Sequence, residues 1–157
     1  MGSEILDAML RIKLVPFLRE SLAIEGIHRE PTNAEVDATG AFLLGELTVD
    51  AVLALQAIYA PGKPLRDIPG MDVRVGRYLP PPGGPRIARD LRRVLGVAGA
   101  YQIHVAFELL HPFMDGNGRT GRAVWAWEML AQDEDPFALS FLHRFYYQAL
   151  ENAEHVR

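Results

Sequence analysis

Apolar residues recur along most of the chain at intervals of three and four, the spacing of amphipathic helices. Ile5, Ala8, Met9 and Ile12 predict the apolar face of a first helix, with Ser3 as its cap. Pro16 suits the first turn of a second helix, which runs through Leu18, Leu22 and Glu25 and stops at Gly26. Thr32 followed by Glu35 is a capping-box pattern and opens a helix through Val36, Phe42 and Leu43. Thr48 caps another, through Val52, Leu55 and Ile58. From Pro61 to Pro85 the pattern breaks into a stretch rich in Pro and Gly, with the alternation Val73-Arg74-Val75 in its middle. That reads as a loop carrying a short hairpin. Helical spacing then returns in Ile87, Leu91, Val94 and Leu95, in Tyr101, Val105 and Phe107 to Leu110, and after Arg119 through Val124, Trp127 and Leu130. A last helix is expected over roughly Phe137 to Ala153. The pattern predicts a mainly α domain with one small β element, without internal repeats.

Composition narrows the chemistry. With 157 residues, 49% of them apolar, the chain suits one domain with a real core. The formal net charge of -4 is opposite to the basic bias of a nucleic-acid-binding domain, so no nucleic-acid partner is expected. The absence of cysteine removes disulfides, thiolate metal sites and thiol nucleophiles. No apolar run approaches a membrane span and no signal-peptide pattern opens the chain, so the expectation is no membrane partner and a cytoplasmic location.

The segment His111-Pro112-Phe113-Met114-Asp115-Gly116-Asn117-Gly118-Arg119-Thr120-Gly121-Arg122 concentrates the reactive residue types. Pro112 disfavours helical geometry at His111, so a helix ends there and the imidazole stands at the mouth of a loop. Gly116 and Gly118 flank Asn117, a turn able to aim backbone N–H groups at one anion, and a helix N-terminus follows directly. Arg119 and Arg122 share a face on its first turn. Cations there cost about 0.3–1 kcal/mol each unless an anion compensates. A polyphosphate would do so, since the guanidinium fork matches its oxygens. Asp115 would repel a bare phosphate, and a bridging Mg²⁺ removes the conflict. His111 is a base of near-neutral pKa beside the same loop.

These twelve residues resemble the motif of Fic domains, His-x-Phe-x-Asp/Glu-Gly-Asn-Gly-Arg-x-x-Arg, at all eight fixed positions: His111, Phe113, Asp115, Gly116, Asn117, Gly118, Arg119 and Arg122. At average residue usage such a match arises by chance on the order of once in 10¹⁰ starts. The resemblance implies a Fic-type helical fold with a small β-hairpin flap, and a protein adenylyltransferase that moves AMP from ATP to a Ser, Thr or Tyr hydroxyl of a target protein. It implies His111 as general base, Asp115 as Mg²⁺ ligand, and Gly116, Asn117, Gly118, Arg119 and Arg122 as the ATP phosphate site, with Phe113 anchoring the loop. Met71, Asp72, Val73, Arg74 and Val75, within Gly70 to Tyr78, resemble the flap that docks the target backbone as an added strand. Tyr146 to Leu150 is also family-like and reads as core packing.

A second element, Ser21-Leu22-Ala23-Ile24-Glu25-Gly26, resembles the Ser/Thr-x-x-x-Glu-Gly/Asn motif of autoinhibited Fic proteins whose inhibitory helix is N-terminal. The resemblance implies that Ser21, Glu25 and Gly26 are inhibitory, with Glu25 paired to Arg122 and obstructing the γ-phosphate. The expected organisation is one Fic domain over 1–157, with the inhibitory helix at about 16–26 and the core at about 33–153. Relief of inhibition by dissociation of a homo-oligomer is open to such a protein. Three other readings share the scaffold: removal of AMP with Glu25 activating water, phosphoryl transfer of the kind the related Doc toxins perform, and a non-catalytic nucleotide-binding module. Gly118 stands where Doc toxins usually have Lys and so favours nucleotidyl transfer, and the intact His111 disfavours the binding module. A fourth reading, a di-iron oxidase built on Glu25-x-x-His28 and Glu108-x-x-His111, is disfavoured because Gly26 and Pro112 interrupt both copies. His104, seven residues before His111, reads as a packed, hydrogen-bonded core residue, and Arg89, Arg92 and Arg93 as a solvated helix face.

Overall fold

The helical spacing is realised as six α-helices in the computed structural model, which describes residues 2–138: α1 (Gly2–Ile24), α2 (Asn33–Leu44), α3 (Val49–Tyr59), α4 (Arg86–Val94), α5 (Ala100–Leu110) and α6 (Asn117–Ala131). The fold is mainly α, and among the described residues β pairing is limited to the isolated bridges Leu65–Phe113 and Val75–Tyr78. Phe137 and Ala138 lie in irregular structure, and the rest of the expected last helix, with Tyr146 to Leu150, falls outside the described residues. No helix among the described residues is long and apolar enough to cross a membrane.

Both threonine caps form. Thr32 Oγ1 accepts from the Glu35 N–H at 3.1 Å while the Glu35 carboxylate accepts from the Thr32 N–H at 2.8 Å. Thr48 Oγ1 accepts from the Ala51 N–H at 3.1 Å. Arg29 also grips the buried Glu35 carboxylate through two nitrogens, at 2.8 and 3.0 Å. That grip is the main reason the Glu35 pKa lies below the ordinary glutamate value, against the opposing pull of burial. A carboxylate with a depressed folded pKa contributes stability above its unfolded value of about 4.3, and that contribution is lost as pH falls through the lower folded value. Glu35→Gln keeps a capping amide but removes the charge. It is expected to lower stability at pH 7 by about 1 kcal/mol, the Arg29 side being half exposed. The gap to the native protein should close on acidification below pH ~4, which urea titrations at pH 7 and pH 3 would show.

The N-terminal region differs from the sequence expectation in two ways. One helix replaces the expected two, because Pro16 sits inside α1 and does not end it. The apolar set Ile5, Met9 and Ile12 is on the exposed side, 59%, 56% and 74% accessible, while Leu14, Leu18 and Leu22 form the buried stripe. Burial of that stripe against α2 and α6 overrides both the proline cost and the local pattern. The helix stops as expected. The Gly26 N–H reaches the Ala23 carbonyl (3.0 Å), the Ile27 N–H reaches the Leu22 carbonyl (3.0 Å), and Gly26 adopts φ +73°, which is a Schellman stop.

The core is drawn from every helix, with Leu14, Val36, Val52, Leu91, Phe107 and Val124 among its members. The pair α5 and α6 is its axis, and α3, α2 and α1 lie against α6. Gly121 permits the close crossing of α5 and α6, since a Cβ there would stand 2.3 Å from a Glu108 carboxylate oxygen and 3.0 Å from the Phe107 ring. Phe113, from the loop between the two helices, is fully buried beside Phe107, ring centroids 6.5 Å apart. The loop is thereby seated on the core by its one aromatic side chain.

Candidate active site

The turn from α5 into α6 is built from both ends. α5 stops at Leu110, and His111 follows in the left-handed region, φ 50° and ψ 61°. A non-glycine residue there costs on the order of 1–3 kcal/mol and is held by its surroundings. Pro112 and Met114 bond the segment before α4: the Arg66 N–H reaches the Pro112 carbonyl (2.9 Å) and the Met114 N–H reaches the Pro64 carbonyl (3.0 Å). Asn117 closes the loop on itself, its Oδ1 accepting from the Phe113 N–H (2.9 Å) and its Nδ2 donating to the Phe113 carbonyl (2.8 Å). Gln56 of α3 braces the far side by donating to the Asp115 and Lys63 carbonyls, at 3.0 and 2.6 Å.

α6 begins without a side-chain cap, after Gly116 at φ +80°. The Thr120 N–H makes the first intrahelical bond, to the Gly116 carbonyl. The main-chain donors left without intrahelical partners at this end are those of Asn117, Gly118 and Arg119. This end of α6 therefore combines orphan N–H groups with the positive pole of a helix.

The side chains around it are partly engaged by the protein itself. His111 is largely buried, and burial is the main reason its pKa lies below the ordinary imidazole value; Arg66 pushes the same way, while the Glu108 main chain, Glu25 and Asp115 oppose. Its Nδ1 is buried, which leaves Nε2 as the nitrogen for exchange with a ligand. Asp115 is exposed, one oxygen accepting from the Gly116 N–H at 2.7 Å and standing 3.7 Å from Arg119. Arg119 is turned inward and donates to the Tyr59 carbonyl at 2.6 Å. The Asn117 amide is spent on the loop, so only its main chain remains for an anion.

Arg122 reaches across to α1. Its Nε donates to Ser21 Oγ (2.7 Å), and its Nη2 donates to the Ser21 carbonyl (2.9 Å) and to Glu25 Oε1 (2.7 Å). That Glu25 oxygen lies 2.1 Å from where a Cβ on Gly118 would be. The structure thus brings Ser21, Glu25, Gly118 and Arg122 together, with a carboxylate against the N-terminal turn of α6. Gly26 is their neighbour through the helix stop and makes no contact with the loop.

The flap residues lie at the rim. Only Val75 pairs, with Tyr78 across a two-residue turn (3.0 and 2.9 Å), and Met71 to Arg74 are in neither strand nor helix. The expected hairpin is shorter than its Val73-Arg74-Val75 alternation suggests: it is the single bridge Val75–Tyr78, while the Asp72 side chain accepts from the Gly83 N–H at 2.8 Å. The Tyr78 hydroxyl donates to the Leu109 carbonyl at 2.6 Å, fastening the turn to the end of α5.

Two residues passed over in the sequence shape the site, and His104 joins them. Gln56 and Arg66 hold its loop, and neither belongs to a local pattern that would mark it. His104 is buried as expected, but its bond is to the site helix: Nδ1 donates to the Gly121 carbonyl at 2.8 Å. Burial pushes its pKa down to about 3, and Arg122 adds to that, so the ring is neutral and acts as a strut. His28 and Glu25 do not join Glu108 and His111 in a metal cluster, and among the described residues no group of three or more His, Asp or Glu is placed to hold an ion. The di-iron reading has no ligand set there. Arg89 and Arg93 are exposed on α4 around Asp90, as a solvated face would be.

No curated protein matches the chain. The Fic/DOC family pattern matches residues 46–129, from the residues before α3 through the loop and motif into α6, leaving α1 outside the matched segment. That is more than half of the chain, and the protein belongs to the Fic/DOC family.

Proposed function

We propose that this protein is an adenylyltransferase, transferring AMP from ATP to a Ser, Thr or Tyr hydroxyl of a target protein, and that it is autoinhibited through Glu25. The observation that carries the reading is the Glu25 carboxylate lying against Gly118, bonded to Arg122 at the positive end of α6. An uncapped helix N-terminus with an arginine on its first turn favours an anion, and the protein fills that place with one of its own.

In the reaction the target hydroxyl oxygen attacks the α-phosphorus. The bond from that phosphorus to the oxygen bridging to the β-phosphate breaks, and pyrophosphate leaves. Nε2 of His111 takes the hydroxyl proton, Nδ1 being buried. The N–H groups of Asn117, Gly118 and Arg119 cradle the phosphates, with Gly116 giving the turn that exposes them. Arg122, once free of Glu25, holds the outer phosphates. Arg119 joins it only by leaving the Tyr59 carbonyl. Asp115 fits a Mg²⁺ that arrives with ATP, since it is an exposed carboxylate with an oxygen to spare beside the phosphate site. The ion would supply charge neutralisation on the phosphates. Met71 to Val75 receive the target's backbone, Met71 to Arg74 being in neither strand nor helix.

The experiment is transfer of label by the Glu25→Gly protein in Mg²⁺ from ATP labelled at the α-phosphate, set beside ATP labelled at the γ-phosphate. Label from the α position on protein is the expected result. Label from the γ position alone would replace this reading with phosphoryl transfer. ATP binding with no label from either would leave a binding module or the AMP-removing reaction.

A further inference from the structure

Arg66 is fully buried, yet among the described residues none of its hydrogen bonds goes to a carboxylate. All four of its side-chain bonds go to main-chain carbonyls: Nε to His111 (2.7 Å), Nη2 to Leu110 (3.0 Å), and Nη1 to Met71 (3.1 Å) and Pro81 (3.0 Å). Its main chain is held too, the N–H by the Pro112 carbonyl and the carbonyl by the Gly84 N–H, both at 2.9 Å. Burial pulls the Arg66 pKa down and the Asp72 charge opposes it only from a distance, so a guanidinium with no carboxylate bonded to it is an expensive way to fill space. It is well suited to one task, which is to satisfy carbonyls that a helix end leaves without partners.

The two carbonyls it takes from α5 are the telling ones. The Leu110 carbonyl lies in the peptide plane before the His111 Cα, and the His111 carbonyl lies in the plane after it. Bonds to both bracket the two dihedrals that put His111 in the left-handed region. Those dihedrals set the direction in which the imidazole leaves the backbone. The remaining nitrogen spans Met71 and Pro81, the two sides of the loop whose first residues form the flap.

We propose that Arg66 is a positioning residue for the transfer reaction: one planar group fixes the backbone of His111 and ties it to the loop that receives the target. The proposal rests on the adenylyltransferase reading for its kinetic half, but its structural half stands without it. The planar five-donor fork is what the task requires, and lysine, with a single nitrogen, cannot serve four carbonyls in this arrangement.

The test uses Arg66→Lys and Arg66→Met, each in the Glu25→Gly protein, with circular dichroism and thermal melting to establish which variants are folded. Two quantities are then read. The three-bond coupling between the amide and α protons of His111, with its Cα shift, reports the left-handed conformation. AMP transfer at saturating ATP, with the KM for ATP measured separately, reports the base. In a folded variant the left-handed signature is expected to be lost or averaged, and the saturated rate to fall about ten- to a hundredfold with the KM for ATP unchanged. Arg66→Lys retains charge and volume, so it supplies the folded case if Arg66→Met melts. A native His111 coupling and a native saturated rate in a folded variant would overturn the proposal, as would a loss confined to the KM for ATP. If the parent protein transfers no AMP, the adenylyltransferase reading fails on its own, and the His111 coupling still decides whether Arg66 holds that backbone.

Discussion

His111→Ala, made in the Glu25→Gly protein, is expected to lose AMP transfer by about 10²–10⁴-fold, the usual worth of a positioned general base, while ATP affinity is retained. The separation follows from where the imidazole stands. The groups proposed to bind the phosphates belong to the N-terminal turn of α6, while His111 follows the end of α5. Alanine tolerates the left-handed backbone less well than histidine, so the folded fraction must be checked by melting, and His111→Asn, more at ease in that region, is the second variant. Burial lowers the pKa of His111 from its ordinary value. A base with a depressed pKa stays in its active, neutral form down to a lower pH. The saturated rate is therefore expected to be flat through neutrality and to fall only below the ordinary histidine value of about 6.5. A rate that falls already above that value, or an active His111→Ala protein, would remove His111 from the role of base. Label transfer from α-labelled ATP across a pH series measures both.

The parts of the protein that could be read in advance are those encoded within a few residues. Thr32 with Glu35, Thr48 and Gly26 each announce a helix boundary through a side chain or a dihedral that acts locally, and the boundaries lie where these residues put them. The motif is legible for the same reason, since twelve contiguous residues hold the base, the turn and the helix start. What sequence does not show is decided by partners far along the chain. Ile5, Met9 and Ile12 have helical spacing, but which face of α1 is buried depends on α2 and α6. Pro16 looks like a helix start until those contacts outweigh one missing hydrogen bond. Gln56 and Arg66 belong to no local pattern, and their bonds to Asp115 and His111 span 59 and 45 positions. The same limit touches the motif itself. Its letters do not show that Asn117 braces the loop or that Arg119 holds α3 through the Tyr59 carbonyl.

Glu25→Gly is expected to raise AMP transfer about tenfold or more, with the helix and the fold intact. The size follows from the bond that is lost. A hydrogen bond to a charged group contributes about 1.5–3 kcal/mol, and every 1.4 kcal/mol is a factor of ten. The Glu25 side chain is 35% exposed, which places the pair toward the weaker end through solvent screening. A second contribution comes from position. The carboxylate lies over Gly118, beside the α6 N–H groups proposed to meet a phosphate oxygen, and two negative charges about 4 Å apart near a protein surface repel by about 4 kcal/mol. Removing Glu25 therefore both frees Arg122 and clears the anion's place. Arg122 keeps its two bonds to Ser21, so the interface of α1 with α6 survives the change. For the same reason Ser21→Ala should raise activity much less, because it leaves the carboxylate where it is. Glu25→Gln distinguishes the two contributions, since it keeps the shape and a hydrogen bond to Arg122 but removes the charge. A gain with Gln close to that with Gly would assign inhibition to charge, and a gain with Gly alone would assign it to the occupied space. Unchanged or lower transfer by Glu25→Gly, in a folded protein that binds ATP, would remove α1 from any inhibitory role and leave the Ser21–Glu25–Arg122 cluster as the joint that fastens α1 to α6.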